Sequence, residues 1–303
     1  MYPPIQPYKS FYLHVDTLSI GEKVNVHVEC SGNPNGIVVI YLHGGPGDCI
    51  NLRMHRLYNP KKYHIVLFDQ RGCGKSTPRN HTEKNTTKHL IQDIECIRKH
   101  IQCERMVVAG GSWGSALALM YAEKHPSRVL GLILRGIYDL SHDDVLEQLY
   151  PEHTDQLYKL LNIHNKRSEK KEIQRVLKSK TKKRNKLIQL LSNNNAAHVT
   201  TKNVKQNSFK DAETLAVISE HYEFHHYFVP KNFIHKHLYK IKHIPVIMIE
   251  GRYDFVTPMK MAYTLQKKFT NCTLMIVPAG HSLDEKEVTN AFVQASDKMI
   301  TQI

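Results

Sequence analysis

The sequence predicts an α/β fold: a mainly parallel central sheet flanked by helices, with an inserted, mainly helical cap. Three observations carry this reading. Short β-branched runs alternate with helix-forming segments in the first and last parts of the chain, and glycine-rich motifs follow directly on several of those runs. A long middle stretch then loses the β-branched runs and becomes polar and helical. Residues 1–139 and 240–303 therefore read as the core and 140–239 as the cap. A chain of 303 residues is long enough to bury one large core with an inserted subdomain.

Taken in order, Leu13 and Val15 with the alternating Val24, Val26 and Val28 predict an opening antiparallel hairpin, half exposed. Ile37-Val38-Val39-Ile40-Tyr41-Leu42 is a strand that leads into His43-Gly44-Gly45-Pro46-Gly47. Ile65-Val66-Leu67-Phe68 reads as a buried strand, and Leu90, Ile91, Ile94, Ile97 and Ile101 share one helix face. Met106-Val107-Val108-Ala109 has strand character, whereas Ala116 to Ala122 are good helix formers that end near His125-Pro126. Val129 to Leu134, Val246 to Ile249 and Leu274 to Val277 are three further strands. In the cap, Asn193-Asn194-Asn195 reads as a loop. No internal repeat is evident.

Between the strand at Met106 and the helix at Ala116 stands Gly110-Gly111-Ser112-Trp113-Gly114-Ser115. A serine on so sharp a turn, with neighbours lacking a Cβ, is the pattern of a nucleophile elbow. A serine hydroxyl is a poor nucleophile at neutral pH; it needs a base, a carboxylate to orient that base, and donors for the developing oxyanion. Asp254 lies just beyond the strand that ends in Gly251-Arg252-Tyr253, and His281 follows the last strand in Pro278-Ala279-Gly280-His281-Ser282. Glu250 is a rival carboxylate, but it lies inside its strand. The N–H of Trp113 supplies one oxyanion donor, and the glycine-rich loop supplies the other, from Gly45 or alternatively Gly44.

The formal net charge is +14, and residues 166–186 hold eleven Lys or Arg against Glu169 and Glu172. Such a run fits either an anion-binding patch or a solvated helix face with a flexible loop, and we favour the second. No aromatic residue is interleaved to stack on bases, which argues against a single-strand nucleic-acid groove. The six cysteines show neither metal-site nor disulfide spacing, so reduced thiols are expected, with Cys73 structural rather than reactive. There is no apolar run of membrane-spanning length, and the N-terminus lacks the basic start and apolar middle of a signal peptide. A soluble, cytoplasmic protein that needs no membrane follows as the expectation.

His43 to Gly47, Asp69-Gln70-Arg71-Gly72-Cys73-Gly74-Lys75-Ser76-Thr77-Pro78, Gly110 to Ser115, Gly251 to Asp254 and Gly280-His281-Ser282 together resemble the prolyl iminopeptidase family of α/β-hydrolases. Tyr2-Pro3 to Tyr8, Gly32-Asn33-Pro34, Asn85-Thr86-Thr87, His125-Pro126 and Leu134 to Ile137 extend the likeness over about residues 1–138 and 241–303. The order Ser, Asp, His is also that of α/β-hydrolases. The resemblance implies a serine aminopeptidase that takes N-terminal proline from peptides, without metal or cofactor, beneath a helical cap. Ser112, Asp254 and His281 would be its triad.

In the cap the likeness weakens. Family members carry tryptophans there, whereas Trp113 is the only tryptophan of this chain. The glutamate that the family places two residues before a His-Tyr-Phe triplet, to hold the substrate's ammonium, is replaced before His226-Tyr227-Phe228 by Phe224. Glu223 is adjacent and Glu220 lies one helical turn earlier; either carboxylate fits the role. Tyr138 stands where the family has a phenylalanine lining the proline pocket. An esterase or an aminopeptidase of other specificity, and a non-catalytic binding protein on this scaffold, remain as alternatives. The sequence leaves the oligomeric state open.

Overall fold

The computed structural model describes residues 1–141, 148–199 and 208–303. Among them, eight strands form one sheet in the order β1-β2-β4-β3-β5-β6-β7-β8. The strands are β1 Lys9–Thr17, β2 Lys23–Gly32, β3 Ile37–Leu42, β4 Tyr63–Phe68, β5 Met106–Ser112, β6 Val129–Ile137, β7 Val246–Gly251 and β8 Cys272–Val277. β1 and β2 pair antiparallel, β2 joins β4 antiparallel, and all remaining pairings are parallel. The chain leaves β3 toward β4 and returns on its other side as β5, so β3 and β5 flank the crevice where a parallel sheet switches direction.

Helices cover both faces. The apolar stripe of α1 (Thr87–His100), through Leu90, Ile94 and Ile97, and nearly all of α2 (Trp113–Lys124) pack on one face with Val108, Leu132 and Met248. On the other face Val288, Ala291, Phe292, Ala295 and Met299 of the last helix, Lys286–Met299, meet Val39, Val107, Ile133 and Ile247. Side chains alternate between these two faces along each parallel strand, and both are buried, which is why the strands read as continuous apolar runs.

The opening hairpin forms, but β2 is not half exposed: its polar His27, Glu29 and Ser31 are buried as well. Other parts of the core cover that face. His27 N donates to Ser76 Oγ at 2.9 Å, Glu29 accepts from His55 Nε2 and from Lys75 Nζ, and Ser31 Oγ bonds His55 Nδ1 at 2.7 Å. Polar side chains that bond one another are tolerated inside, so alternation of polarity misjudged exposure there.

The cap contains α3 (Pro151–Leu161), α4 (Lys166–Leu177), α5 (Lys182–Val199) and α6 (Phe209–Phe224), followed by the short α7 (Phe233–His237). Leu157, Leu161, Ile173, Val176, Leu177, Leu187, Ile188, Ala212 and Ala216 form an apolar cluster separate from the two on the sheet. Ile234 of α7 instead joins the sheet's own core. Asn193-Asn194-Asn195 is not a loop: it continues α5. Burial of Leu187 and Ile188 earlier on the same helix outweighs the weak helix preference of asparagine. The basic run occupies α4, the start of α5 and the short turn between them, with Arg175 paired to Glu172 and Arg184 to Glu213 at 2.6 Å.

The elbow requires an unusually close crossing of α2 on the sheet. A Cβ on Gly114 would stand 2.0 Å from the Leu42 carbonyl oxygen, and one on Gly110 would stand 2.2 Å from the Gly114 oxygen. Both obstacles are backbone. Gly114→Ala should therefore destabilise the fold by about 3 kcal/mol or more, although alanine is intrinsically the better helix former by about 1 kcal/mol. Urea denaturation measures this, and an unchanged midpoint would show that the crossing is not tight.

Candidate active site

Ser112, Trp113, Gly44, Gly45, Asp254 and His281 all lie at or just beyond a carboxyl end of the sheet, whereas Glu220 and Glu223 lie on the cap helix α6. Ser112 ends β5 with φ 56° and ψ −127°, a left-handed conformation that a serine adopts only when its surroundings impose it. α2 begins at the next residue, so the Trp113 N–H belongs to the first turn, where backbone donors have no intrahelical partner and the helix dipole is positive. Ser115 Oγ braces the turn by donating to Ser112 O at 2.7 Å and accepting from Tyr138 N at 2.9 Å.

His281 and Asp254 meet across the ends of β7 and β8. His281 Nδ1 is 2.6 Å from Asp254 Oδ2, and since an ionised carboxylate only accepts, Nδ1 carries the proton. Asp254 Oδ1 accepts the N–H groups of Val256 and Thr257 at 2.9 and 2.8 Å, and Oδ2 accepts the Thr257 hydroxyl at 2.9 Å. Burial alone would raise this carboxyl, but His281 beside it and these donors hold it down to about 2. The tautomer leaves Nε2 free to act as a base.

The imidazole rests on β6. A Cβ at Gly136 would stand 2.9 Å from His281 Cε1, and the next residue, Ile137, is the partner of Ser112 across β5 and β6. Hydroxyl and ring are thus brought to adjacent strand ends. Among the described residues Ser112 Oγ makes no hydrogen bond, so Ser112 and His281 are not hydrogen-bonded in this conformation. Such contacts are commonly long before substrate binds.

The loop after β3 closes the other side. A Cβ on Gly44 would lie 3.3 Å from Ser112 Cβ and 3.9 Å from its Oγ, which puts the Gly44-Gly45 backbone beside the nucleophile. Gln70 was missed from the sequence, although it lies in a quoted motif. Its N–H donates to His43 Nε2 at 2.9 Å, its Nε2 to His43 O at 2.8 Å, and its Oε1 accepts from Trp113 Nε1 at 3.0 Å. One amide thereby ties the glycine-rich loop to the residue after the nucleophile. Thr257 and Arg135 were also missed; Arg135 Nη1 donates to the His281 carbonyl. Their signal is weak in sequence, because a threonine after an aspartate and an arginine at a strand end are both commonplace.

The cap carboxylates sit close by on α6, which Ser219 fastens to the glycine-rich loop through a 2.6 Å bond to Pro46 O. Burial, and next the charge of Glu223, push the Glu220 carboxyl well above the usual range. Glu223 is raised too, by the protein packed around it, while its side chain keeps contact with solvent. Tyr138 OH donates to Tyr227 OH at 2.9 Å, and the Tyr227 ring stacks on Trp113 with centroids 5.5 Å apart. An aromatic wall therefore leads from Trp113 toward the two glutamates. Among the described residues no group of three His, Cys, Asp or Glu side chains is arranged to hold a metal ion.

Residues 37–286 match the family model of the alpha/beta hydrolase fold. The chain is 36% identical to a proline iminopeptidase of Arabidopsis thaliana over 99% of this chain and 82% of that one. It is 33% identical to a proline iminopeptidase of Neisseria meningitidis over the full length of both. Among solved structures, a thermophilic esterase from Thermogutta terrifontis superposes with a TM-score of 0.66 at 16% identity, covering 97% of this chain and 98% of that one, a likeness of fold alone.

Gln70→Ala should lower kcat/KM of the folded enzyme by about 10- to 100-fold, because it loosens the two backbone walls beside Ser112 without touching substrate, and should also cost about 1–3 kcal/mol of stability for the buried His43 O and Trp113 Nε1 it leaves unpaired. Steady-state kinetics beside a thermal melt separate this from a purely structural defect, which would lower the melting temperature and leave the activity of the folded fraction intact.

Proposed function

The chain belongs to the proline iminopeptidase family of α/β-hydrolases, and on that premise we propose that Ser112, His281 and Asp254 form the triad of a serine aminopeptidase that releases N-terminal proline from peptides. The observation that carries the reading is the His281 imidazole, held by Asp254 in the tautomer that frees Nε2 and seated at the strand end paired with Ser112.

The chemistry follows from these groups. His281 Nε2 takes the Ser112 proton as Oγ attacks the carbonyl carbon of the terminal proline, and Asp254 stabilises the imidazolium that forms. The N–H of Trp113 and that of Gly45, with Gly44 as alternative, stabilise the oxyanion. His281 then protonates the departing amine, and water, activated by the same base, releases proline from the acyl-enzyme. No step needs a metal or a cofactor.

Exopeptidase selectivity belongs to the cap, which we take as residues 140–239; α3 to α6 have an apolar cluster of their own. Its residues 142–147 and 200–207 lie outside the described ones. Glu220 and Glu223 repel each other, and a substrate ammonium placed between them relieves that repulsion while marking a fixed distance from Ser112. Tyr138 lines the path to the proline ring. No helix among the described residues is long and apolar enough to cross a membrane, and we assign the enzyme to the cytoplasm, acting on peptides rather than on membranes or nucleic acid.

Ser112→Ala should reduce hydrolysis of proline arylamide by more than about 10,000-fold while the far-ultraviolet spectrum stays native. Comparing Pro-, Ala- and Leu-arylamides with a simple acyl ester reads the specificity, and preference for the ester would overturn the peptidase assignment.

Glu220→Gln and Glu223→Gln should each raise KM for proline arylamide by about 10-fold or more, as expected for the loss of a charged hydrogen bond. Both carboxyls are raised, so ammonium binding weakens as pH falls through that raised range. Each variant, keeping one of the two carboxyls, should show a smaller acid-side rise in KM. A carboxyl raised in the folded state favours folding when protonated and loses that advantage as pH rises, so at neutral pH neither variant should melt earlier than wild type. An unchanged KM in both variants would remove the cap carboxylates from the site.

A further inference from the structure

Glu250 stands in the last turn of chain before Asp254, within β7, and is fully buried. Its Oε2 accepts the N–H of Ile137 at 2.8 Å, and Ile137 is the β6 residue paired with Ser112. Its Oε1 is buried with no donor to it. A carboxylate there would leave lone pairs bare in a desolvated site, whereas a carboxylic acid would turn that oxygen into a donor.

The groups facing it decide where its proton goes. Asp254 approaches from the loop after β7, Arg135 from β6, and His281, from the loop after β8, lies on the far side of Asp254. Arg135 favours ionisation, but its Nη1 is spent on the His281 carbonyl, its buried Nε makes no hydrogen bond, and it donates none to Glu250. Of two facing carboxyls, the charge settles on the one with more donors. Asp254 receives two N–H groups, the Thr257 hydroxyl and the His281 N–H. Glu250 receives only the Ile137 N–H.

We propose that Glu250 is a positioning residue of the triad that works as a neutral acid, its Oε1 hydroxyl donating to the Asp254 carboxylate while its Oε2 holds the Ile137 N–H. One side chain then joins the acid of the triad to the strand end beside the nucleophile. Burial, and after it the charge of Asp254, holds the Glu250 carboxyl well above the usual range, and its bond in turn helps keep Asp254 low. A second negative charge here would over-stabilise the imidazolium and make it a poorer acid toward the leaving amine; a neutral donor orients Asp254 without that penalty. The proposal rests on the triad reading above but not on proline specificity.

The test compares Glu250→Gln, which keeps a donor and an acceptor and cannot ionise, with Glu250→Ala, which keeps neither. Two readouts are taken across pH: the rate at which a fluorophosphonate labels Ser112, and kcat and KM for proline arylamide. Glu250→Gln should stay within a few-fold of wild type on both. Glu250→Ala should lose about 10- to 100-fold, in kcat rather than KM. Its acid limb should move to higher pH, because Asp254, deprived of a donor, holds the imidazolium more strongly. Rescue by glutamine with this shift supports the proposal. Equal impairment of both variants would mean that a charge is needed and overturns it, as does an alanine variant identical to wild type in rate and pH profile. Should the alanine variant fail to fold, the glutamine variant alone decides, since a large loss there contradicts a neutral donor. If wild-type Ser112 is not labelled at all, the triad itself falls; if it is labelled and indifferent to residue 250, only this role does.

Discussion

The active face depends on one backbone crossing, the approach of α2 to β3 and β5 at Gly114 and Gly110. Because the helix starts directly against the sheet, the last residue of β5 has no room for an ordinary conformation, and Ser112 is forced into its left-handed one. The same crossing aims the positive end of α2 at the nucleophile. It also puts Trp113 where its backbone faces the site and its ring, bonded to Gln70, faces the interior beneath the cap. The proposed nucleophile, its proposed oxyanion donor and one aromatic wall beside them are thus consequences of a single packing event.

Around that crossing the polar groups are arranged so that charge has one resting place. The loop ends of β7 and β8 concentrate four donors on Asp254, while the neighbouring Glu250 has a single donor and Arg135 is engaged with the His281 backbone. In a desolvated region such asymmetry is decisive, since two carboxylates side by side cannot both ionise cheaply. A second pair of carboxyls stands in the cap without that imbalance: Glu220 feels the charge of Glu223, and neither accepts a hydrogen bond among the described residues. The first pair is self-sufficient, whereas the second is suited to receive a cation.

The cap is fastened to the core through α6 and the segment after it. Arg79 bonds Thr214 and Asp211, Tyr222 OH donates to Asn85 Oδ1 at 2.9 Å, and Thr87 Oγ1 donates to Tyr227 O at 2.5 Å. His226, Tyr227 and Phe228 are all left-handed, with φ of 50°, 56° and 56°. Three such residues in succession cost on the order of several kcal/mol unless their surroundings hold them. The stacking of Tyr227 on Trp113 and its bond to Tyr138 are what this conformation secures, so strain in the cap is exchanged for an aromatic wall over the nucleophile.

Much of this was legible in the residues alone. The parallel strands are buried on both faces and so advertise themselves as apolar runs, and Ser112, Asp254 and His281 stand at the ends of such runs because side chains there face the crevice. Local pattern failed where distant chain decided the environment. β2 alternates as a half-exposed strand does, yet the residues around His55 and Ser76 bury its polar face; Asn193 to Asn195 look like a loop, yet the packing of α5 keeps them helical. Gln70 and Arg135 act through partners remote in sequence, and Thr257 and Glu250 meet the nearby Asp254 only because the chain bends after β7, so their roles do not show in the local pattern. The sequence by itself determined the sheet and the elbow and pointed to Ser112, Asp254 and His281 as the groups we propose to react, since these follow from backbone sterics and short-range periodicity. Which carboxyl carries the charge, and how the cap meets the nucleophile, was decided by tertiary structure alone, because donor count and desolvation exist only once separate strand ends have been brought together.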